Sequence, residues 1–253
     1  MNRRLKQLIY GFFYFLLLAF IGWGFYLNFI KADPTCFDKT QNQNEEEIDC
    51  GGPCSLSCFP AGFSNKLEII QQKIFRLDSG HVSLFAEVKN PNADFAAKNF
   101  KYTLNAYDNS DKVIVGITGD LFLYAGETGY ILAPNLEVGS SSPSRLEVIL
   151  DKAEWVKSDD FKKPEISIEG ISFSTDNNQI KISGSLANQS IWKLNEIKII
   201  AIFNGRFGKP VGASETELPV IAPNTREPFA ISHPFLADVN LPATHFFIRA
   251  KSE

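Results

Sequence analysis

FKYTLNAYDNSDKVIVGITGDLFL, residues 100–123, decides the fold. Phe100, Tyr102, Leu104 and Ala106 alternate with Lys101, Thr103 and Asn105. Successive side chains of a strand point to opposite faces. Apolar residues on one parity therefore predict a strand with one face in a core. Asp108-Asn109-Ser110-Asp111 reads as a turn, because short Asp and Asn side chains bond their own backbone there. Lys112–Leu123, rich in Val and Ile, reads as the next strand.

The same pattern extends outward. Leu67–Leu77, His81–Lys89, Tyr130–Leu136 and Arg145–Leu150 also read as strands. Between them lie turn signals at Asp78-Ser79-Gly80, Asn90-Pro91-Asn92, Ala125-Gly126-Glu127-Thr128 and Gly139–Pro143. Only Asp151–Lys157 allows a helical reading outside the N-terminus. The second half repeats the plan. Glu68-Ile69 matches Glu165-Ile166, and Val88-Lys89-Asn90 matches Leu186-Ala187-Asn188. Val115-Gly116 matches Val211-Gly212, and Ala125–Thr128 matches Ala222–Thr225. A near-constant offset over four landmarks indicates duplication. Asn204-Gly205 adds a tight hairpin turn. The expected fold class is all-β: two tandem immunoglobulin-like β-sandwiches, at 65–158 and 164–253, divided near Ser158–Lys163.

These repeats resemble the small bacterial FxLYD domains and the sandwich domains of the late-embryogenesis-abundant type. The resemblance rests on Val88 to Asn90, on Tyr102 to Asp108 with the valine strand after it, and on the turn at Ala125–Thr128. The second half departs, with Phe203-Asn204 where the family favours Tyr-Asp. The resemblance implies no catalytic residues.

All four cysteines, Cys36, Cys50, Cys54 and Cys58, fall in the polar segment 33–60. Pro34, Gly51, Gly52, Pro53 and Pro60 break that segment, so it cannot make a hydrophobic core alone. An even cysteine count outside the cytoplasm reads as two disulfides, and three connectivities stay open. The spacing lacks the C-x2-C pair of zinc ribbons and the usual ferredoxin runs. No metal or other cofactor is expected. Asp38, Glu45, Glu46, Glu47 and Asp49 offer oxygens suited to Ca²⁺, without the alternating spacing of an EF-hand loop. Cys36 to Cys58 resembles a short Cys-rich module of bacterial surface and secreted proteins, with Asp49-Cys50-Gly51-Gly52 its most specific part. Lys39 stands where that family usually has Gly. The resemblance implies an extracellular spacer with no defined activity.

Leu8 to Ile30, LIYGFFYFLLLAFIGWGFYLNFI, carries no charge. As a helix it would be roughly 35 Å long, enough for a hydrocarbon core of about 30 Å. Arg3, Arg4 and Lys6 precede it, which places residues 1–7 in the cytoplasm and the body outside. Only Lys31 follows closely. The run is longer than the apolar region of a signal peptide, and only Ile30-Lys31-Ala32 approaches a cleavage site. An uncleaved single-pass anchor at 8–30 is expected. Gly22 and Gly24 would let another helix approach.

Residues 1–31 hold four basic residues and no acid, so of the chain's net charge of −4 the rest carries about −8. An acidic body excludes nucleic acid as a partner, since that needs clustered Lys and Arg. His81, His233 and His245 form no spaced ligand pair, and no nucleophile, P-loop or dinucleotide motif is present. Asp94, Asp108, Asp111 and Asp120 sit mostly where turns favour Asp. Trp155 and Trp192 are candidates for a binding surface, though single tryptophans more often fill cores. Asn188-Gln189-Ser190 is a formal glycosylation sequon. The expectation is a non-enzymatic surface protein that presents two sandwiches to envelope or surface proteins. One alternative is a membrane-complex subunit pairing through its span. Another is a ligand-carrying or hydrolytic sandwich.

Overall fold

The alternation at Phe100–Tyr107 becomes part of a longer strand, Phe95–Tyr107, whose Phe100, Leu104 and Ala106 are buried. The computed structural model describes residues 3–26, 36–42, 44–45, 48–54, 58–77 and 80–252. The expected end of the span at 27–30, then Lys31, Glu46, Glu47 and the turn residues Asp78 and Ser79, lie outside these. The chain divides into two units, Met1–Phe63 and Ser64–Glu253.

The first unit opens with α1, Arg3–Phe25. It starts five residues before Leu8, because Arg3 to Gln7 continue the helix. Its 23 residues make it about 35 Å long, and it is long and apolar enough to cross a membrane. The same unit contains two interleaved disulfides, Cys36–Cys54 and Cys50–Cys58.

Among its described residues the second unit holds thirteen strands. They are β1 (Glu68–Arg76), β2 (His81–Lys89), β3 (Phe95–Tyr107), β4 (Val113–Leu123), β5 (Thr128–Glu137), β6 (Arg145–Leu150), β7 (Glu154–Lys157), β8 (Ile166–Asp176), β9 (Gln179–Asn188), β10 (Leu194–Asn204), β11 (Pro210–Leu218), β12 (Arg226–Pro234) and β13 (His245–Ser252). A 3₁₀ turn at Leu241–Ala243 precedes β13. Sheet β1-β2-β5 packs on sheet β4-β3-β6 around Val82, Leu84, Ala86, Phe100, Leu104, Leu123 and Ile131. Sheet β8-β9-β12 packs on sheet β11-β10-β13 around Ile180, Ile182, Ile197, Ile199, Phe203 and Phe229. The strand order of the first sandwich recurs in the second.

Asp151–Lys157 is not helical. Trp155 and Val156 of β7 pair with Ala97 and Ala96, because the first half of β3 extends past β6 and offers a free edge. The register also shifts one expected match. Phe203 opposes Gly212 as Ala106 opposes Val115, so Val115-Gly116 and Val211-Gly212 correspond with a slip of one residue. Asn204-Gly205 is not a two-residue turn: β10 ends at Asn204 and the loop runs to Lys209, where Gly205 N–H meets the Lys209 carbonyl at 2.9 Å.

The sandwiches share a third apolar layer. Phe75, Phe85 and Leu132 on the outer face of β1-β2-β5 meet Ile200, Ile202, Ala213 and Phe247 on the outer face of β11-β10-β13. Consequently β2 and β10 bury both faces. This accounts for the unbroken apolar run Ile199-Ile200-Ala201-Ile202-Phe203, a pattern of strands covered on two sides. Beside this layer the Tyr124 hydroxyl donates to the Ala250 carbonyl at 2.7 Å, and burial pushes its pKa up. Phe161, between β7 and β8, stacks on Tyr124 with ring centroids 4.9 Å apart.

Candidate functional site

The cysteine segment is organised around one buried acid. Glu45 is 6% exposed, and its Oε2 accepts from the backbone N–H of Asn42 (3.2 Å) and of Asp49 (3.3 Å). Asp49 accepts from Lys39 N–H, and Asp38 accepts from Thr40 N–H and the Asn42 amide. A segment too short for a core thus uses carboxylates to satisfy its backbone donors. Gly52, at φ +54°, is required: a Cβ there would sit 2.2 Å from the Asn44 carbonyl oxygen. This gives the Asp49–Gly52 sequence its physical reason.

Glu45 also lies with Cys36 and Cys54, ligand atoms within 4.8 Å of one another. The two sulfurs are bonded to each other, so they are not the thiolates a metal binds. The 3.0 Å approach of Cys54 Sγ to Glu45 Oε1 is a contact, since a disulfide sulfur has no proton to donate. Arg3, Arg4 and Lys6 all lie in the first turns of α1 and are exposed.

In the second unit the expected chemistry is dispersed. His81 opens β2, His233 is the last residue but one of β12, and His245 opens β13 edge-on to Tyr130 at 6.0 Å. Asp108 accepts from Ser110 and Lys112 N–H, as a turn aspartate does. Asp111 pairs with Arg145 at 2.9 Å. A recess of about 490 Å³ between β1 and the β6–β7 connection is lined by Lys66, Leu67, Ile69, Leu150, Asp151 and Lys152, among others. It brings one carboxylate together with two lysines, not the carboxylate pair that glycoside hydrolysis needs.

Two asparagines that the sequence paired do matching work. Asn90 is fully buried, and its amide donates to the carbonyls of Phe95 (2.7 Å) and Tyr124 (3.0 Å) while its Oδ1 accepts from Asn92 N–H. Asn188, 1% exposed, donates to Trp192, Ile221 and Ala222 and accepts from Ser190 N–H. Each ties the end of one sheet to the loops of the other. The sequon at Asn188 is therefore no acceptor in the folded chain, because its amide is enclosed and fully bonded. The Trp192 side chain is 37% exposed, and its carbonyl belongs to this plug.

His233 is 2% exposed. Its Nδ1 lies 2.6 Å from the Pro234 carbonyl, its ring packs on Phe203 at 4.8 Å, and Nε2 has no hydrogen-bond partner among the described residues. Burial lowers its pKa, and the Pro234 carbonyl partly opposes that. The unfolded chain takes up this proton below about 6.5, whereas the folded chain holds it off until lower pH. The contribution is thus complete above about 6.5 and is lost as pH falls towards the folded value, at no more than about 1.4 kcal/mol per pH unit. Thermal unfolding of wild type and His233→Leu from pH 8 to 5 should show wild type losing stability faster between about 6.5 and 5. Parallel curves would refute this.

No family model matches the chain, and no curated protein does. Among solved structures, red sea bream transglutaminase aligns at 13% identity over 72% of this chain and 29% of that one, with a TM-score of 0.24. So distant a likeness assigns no activity.

Proposed function

We propose that this is a non-enzymatic, single-pass membrane protein. Its N-terminus is cytoplasmic, and its paired sandwiches, products of a tandem duplication, face the extracytoplasmic side, where they engage envelope or surface proteins. The observation that carries this reading is the order of parts: an apolar helix with basic residues only at its start, followed closely by two disulfides. Disulfides persist in oxidising compartments, and the positive flank faces the cytoplasm. The duplication is supported by the recurring strand order and by matching plugs at Asn90 and Asn188. Support for a passive body comes from two cores filled by packed side chains and from polar groups engaged in turns and plugs.

Protease added to intact spheroplasts should remove a C-terminal tag and leave an N-terminal tag intact. Protection of the C-terminal tag would reverse the topology. Crosslinking in cells should then join residues of 64–253 to another envelope protein. Crosslinks confined to α1 would favour a subunit that pairs through its span.

A further inference from the structure

Phe207 is 93% exposed, the most exposed of the large apolar side chains described. It sits in the β10–β11 loop, Gly205-Arg206-Phe207-Gly208-Lys209. The loop is held in shape. Gly205 N–H donates to the Lys209 carbonyl and Gly208 N–H to the Gly205 carbonyl, with Gly208 at φ +71°. Gly205 also bridges to Val239, and Asn204 donates to the Ala243 carbonyl at 2.8 Å. The ring is thus presented by a fixed loop. Phe235, 48% exposed, lies on the β12–β13 connection at the same end of the sandwich, where its N–H meets Asn178 of the β8–β9 turn.

The two charges that flank Phe207 within the loop, Arg206 and Lys209, are cationic although the body is acidic. Neither Arg206 nor Lys209 forms an ion pair among the described residues. Lys73 approaches the base of the loop, with Nζ 3.0 Å from the Pro210 carbonyl, and its pKa is lowered by burial and then by nearby Lys209. Against them stand Glu87, which accepts from the Gln71 amide, and Asp238, whose carbonyl oxygen would lie 3.4 Å from a Cβ on Gly205. Gly208 and Pro210 share a recess of about 240 Å³ with Gln71, Glu87 and Tyr130. Gln71 and Lys73 are the fourth and sixth of the nine residues of β1, so the base of the loop lies against the middle of that strand.

We propose that this loop is a membrane-contacting tip, in which Phe207 enters the interface of a bilayer while Arg206 and Lys209 meet lipid phosphates. The inference rests on the reading of α1 as an anchor. Shape favours lipid over a protein partner. Rings on separate loop tips are convex, and a fluid interface accepts them without a complementary pocket, whereas a stable protein interface needs a broad fitted patch. One ring and two cations are too few to recruit a free protein, since stable membrane binding takes more than one weak signal. A chain already tethered by α1 needs no recruitment, because tethering makes the second contact intramolecular. Contact at the tip would fix the orientation of the sandwiches over the bilayer.

The test uses the full chain reconstituted into phosphatidylcholine–phosphatidylglycerol vesicles with brominated acyl chains. Emission from the indole introduced by Phe207→Trp, after subtraction of the wild-type signal from Trp23, Trp155 and Trp192, should be quenched about twofold or more, as expected for a ring at the interface. Adding Arg206→Ser and Lys209→Ser should relieve most of that quenching. A solvent-like, unquenched emission from the introduced indole would overturn the proposal. So would a blue-shifted but unquenched one, which would mean contact with protein, including a second copy of this chain. Flotation with the vesicles after alkaline carbonate separates the two readings. Loss of flotation refutes the anchor, and flotation without quenching of the introduced indole refutes only the tip.

Discussion

Phe85→Ala is expected to cost about 3–5 kcal/mol and to split one cooperative unfolding transition into two. Phe85 has no exposed surface, yet it belongs to neither sandwich core. It lies 5.5 Å from Phe75 and 5.6 Å from Tyr130, and Tyr130 reaches Phe247 of β13 at 5.4 Å. Truncation opens a cavity in the middle of the shared layer, where rigid sheets on both sides cannot collapse to fill it. Both sandwiches lose the same contact, so the coupling between them falls along with the total stability. Calorimetry of the detergent-solubilised chain should show a single transition for wild type and two for the variant. Leu84→Ala is the control. Its side chain points into the first core, so it should lower the stability of the first sandwich and leave the joint intact. A single transition for Phe85→Ala, lowered by less than about 1 kcal/mol, would mean that the layer contributes little to cohesion.

That layer marks the limit of what the sequence shows. The strands His81–Lys89 and Arg145–Leu150 are legible to the residue, because turn chemistry bounds them. The joint is not legible. Phe85 interrupts the parity of Val82, Leu84 and Ala86, and Ile200 and Ile202 interrupt that of Ile199, Ala201 and Phe203. Such runs say that a second face is buried without saying against what. Symmetry hides the answer further. The first sandwich offers sheet β1-β2-β5 to the joint, whereas the second offers β11-β10-β13, the counterpart of the other sheet. Landmarks matched between the halves therefore cannot locate it. The extension of β3 onto β7 is likewise a tertiary effect, since Glu154–Lys157 becomes a strand only because an edge is free beside it. For the cysteine segment, composition indicated two disulfides, but their pairing needed Glu45 and Gly52 placed in space. Phe207 did leave a trace: an aromatic residue between two cations in a Gly-flanked loop has no core to join.

Asn188→Ala should cost the second sandwich about 2–3 kcal/mol, because it removes several buried hydrogen bonds at once and leaves Ser190 N–H without its acceptor. The carbonyls of Ile221, Ala222 and Trp192 each lose one of two bonds, keeping those from Leu194 N–H, Thr225 Oγ1 and Ser190 Oγ, and Ser190 N–H loses its acceptor. Water cannot readily replace the amide, since Asn188 is 1% exposed. A buried polar group left unmade costs more than the net value of the bond itself. Asn90→Ala should cost somewhat less, because that amide serves two carbonyls rather than three. The contrast that isolates the mechanism is Asn188→Asp. It keeps size and shape but turns a donor into a carboxylate oxygen facing three carbonyls, so it should be worse than alanine near neutral pH. At a pH low enough to protonate the carboxyl it should recover towards the alanine value, because the acid can then donate one bond. Urea unfolding of the three variants at two pH values reads this directly. If Asn188→Asp matched wild type at pH 7, the amide would not be the donor that closes the sandwich.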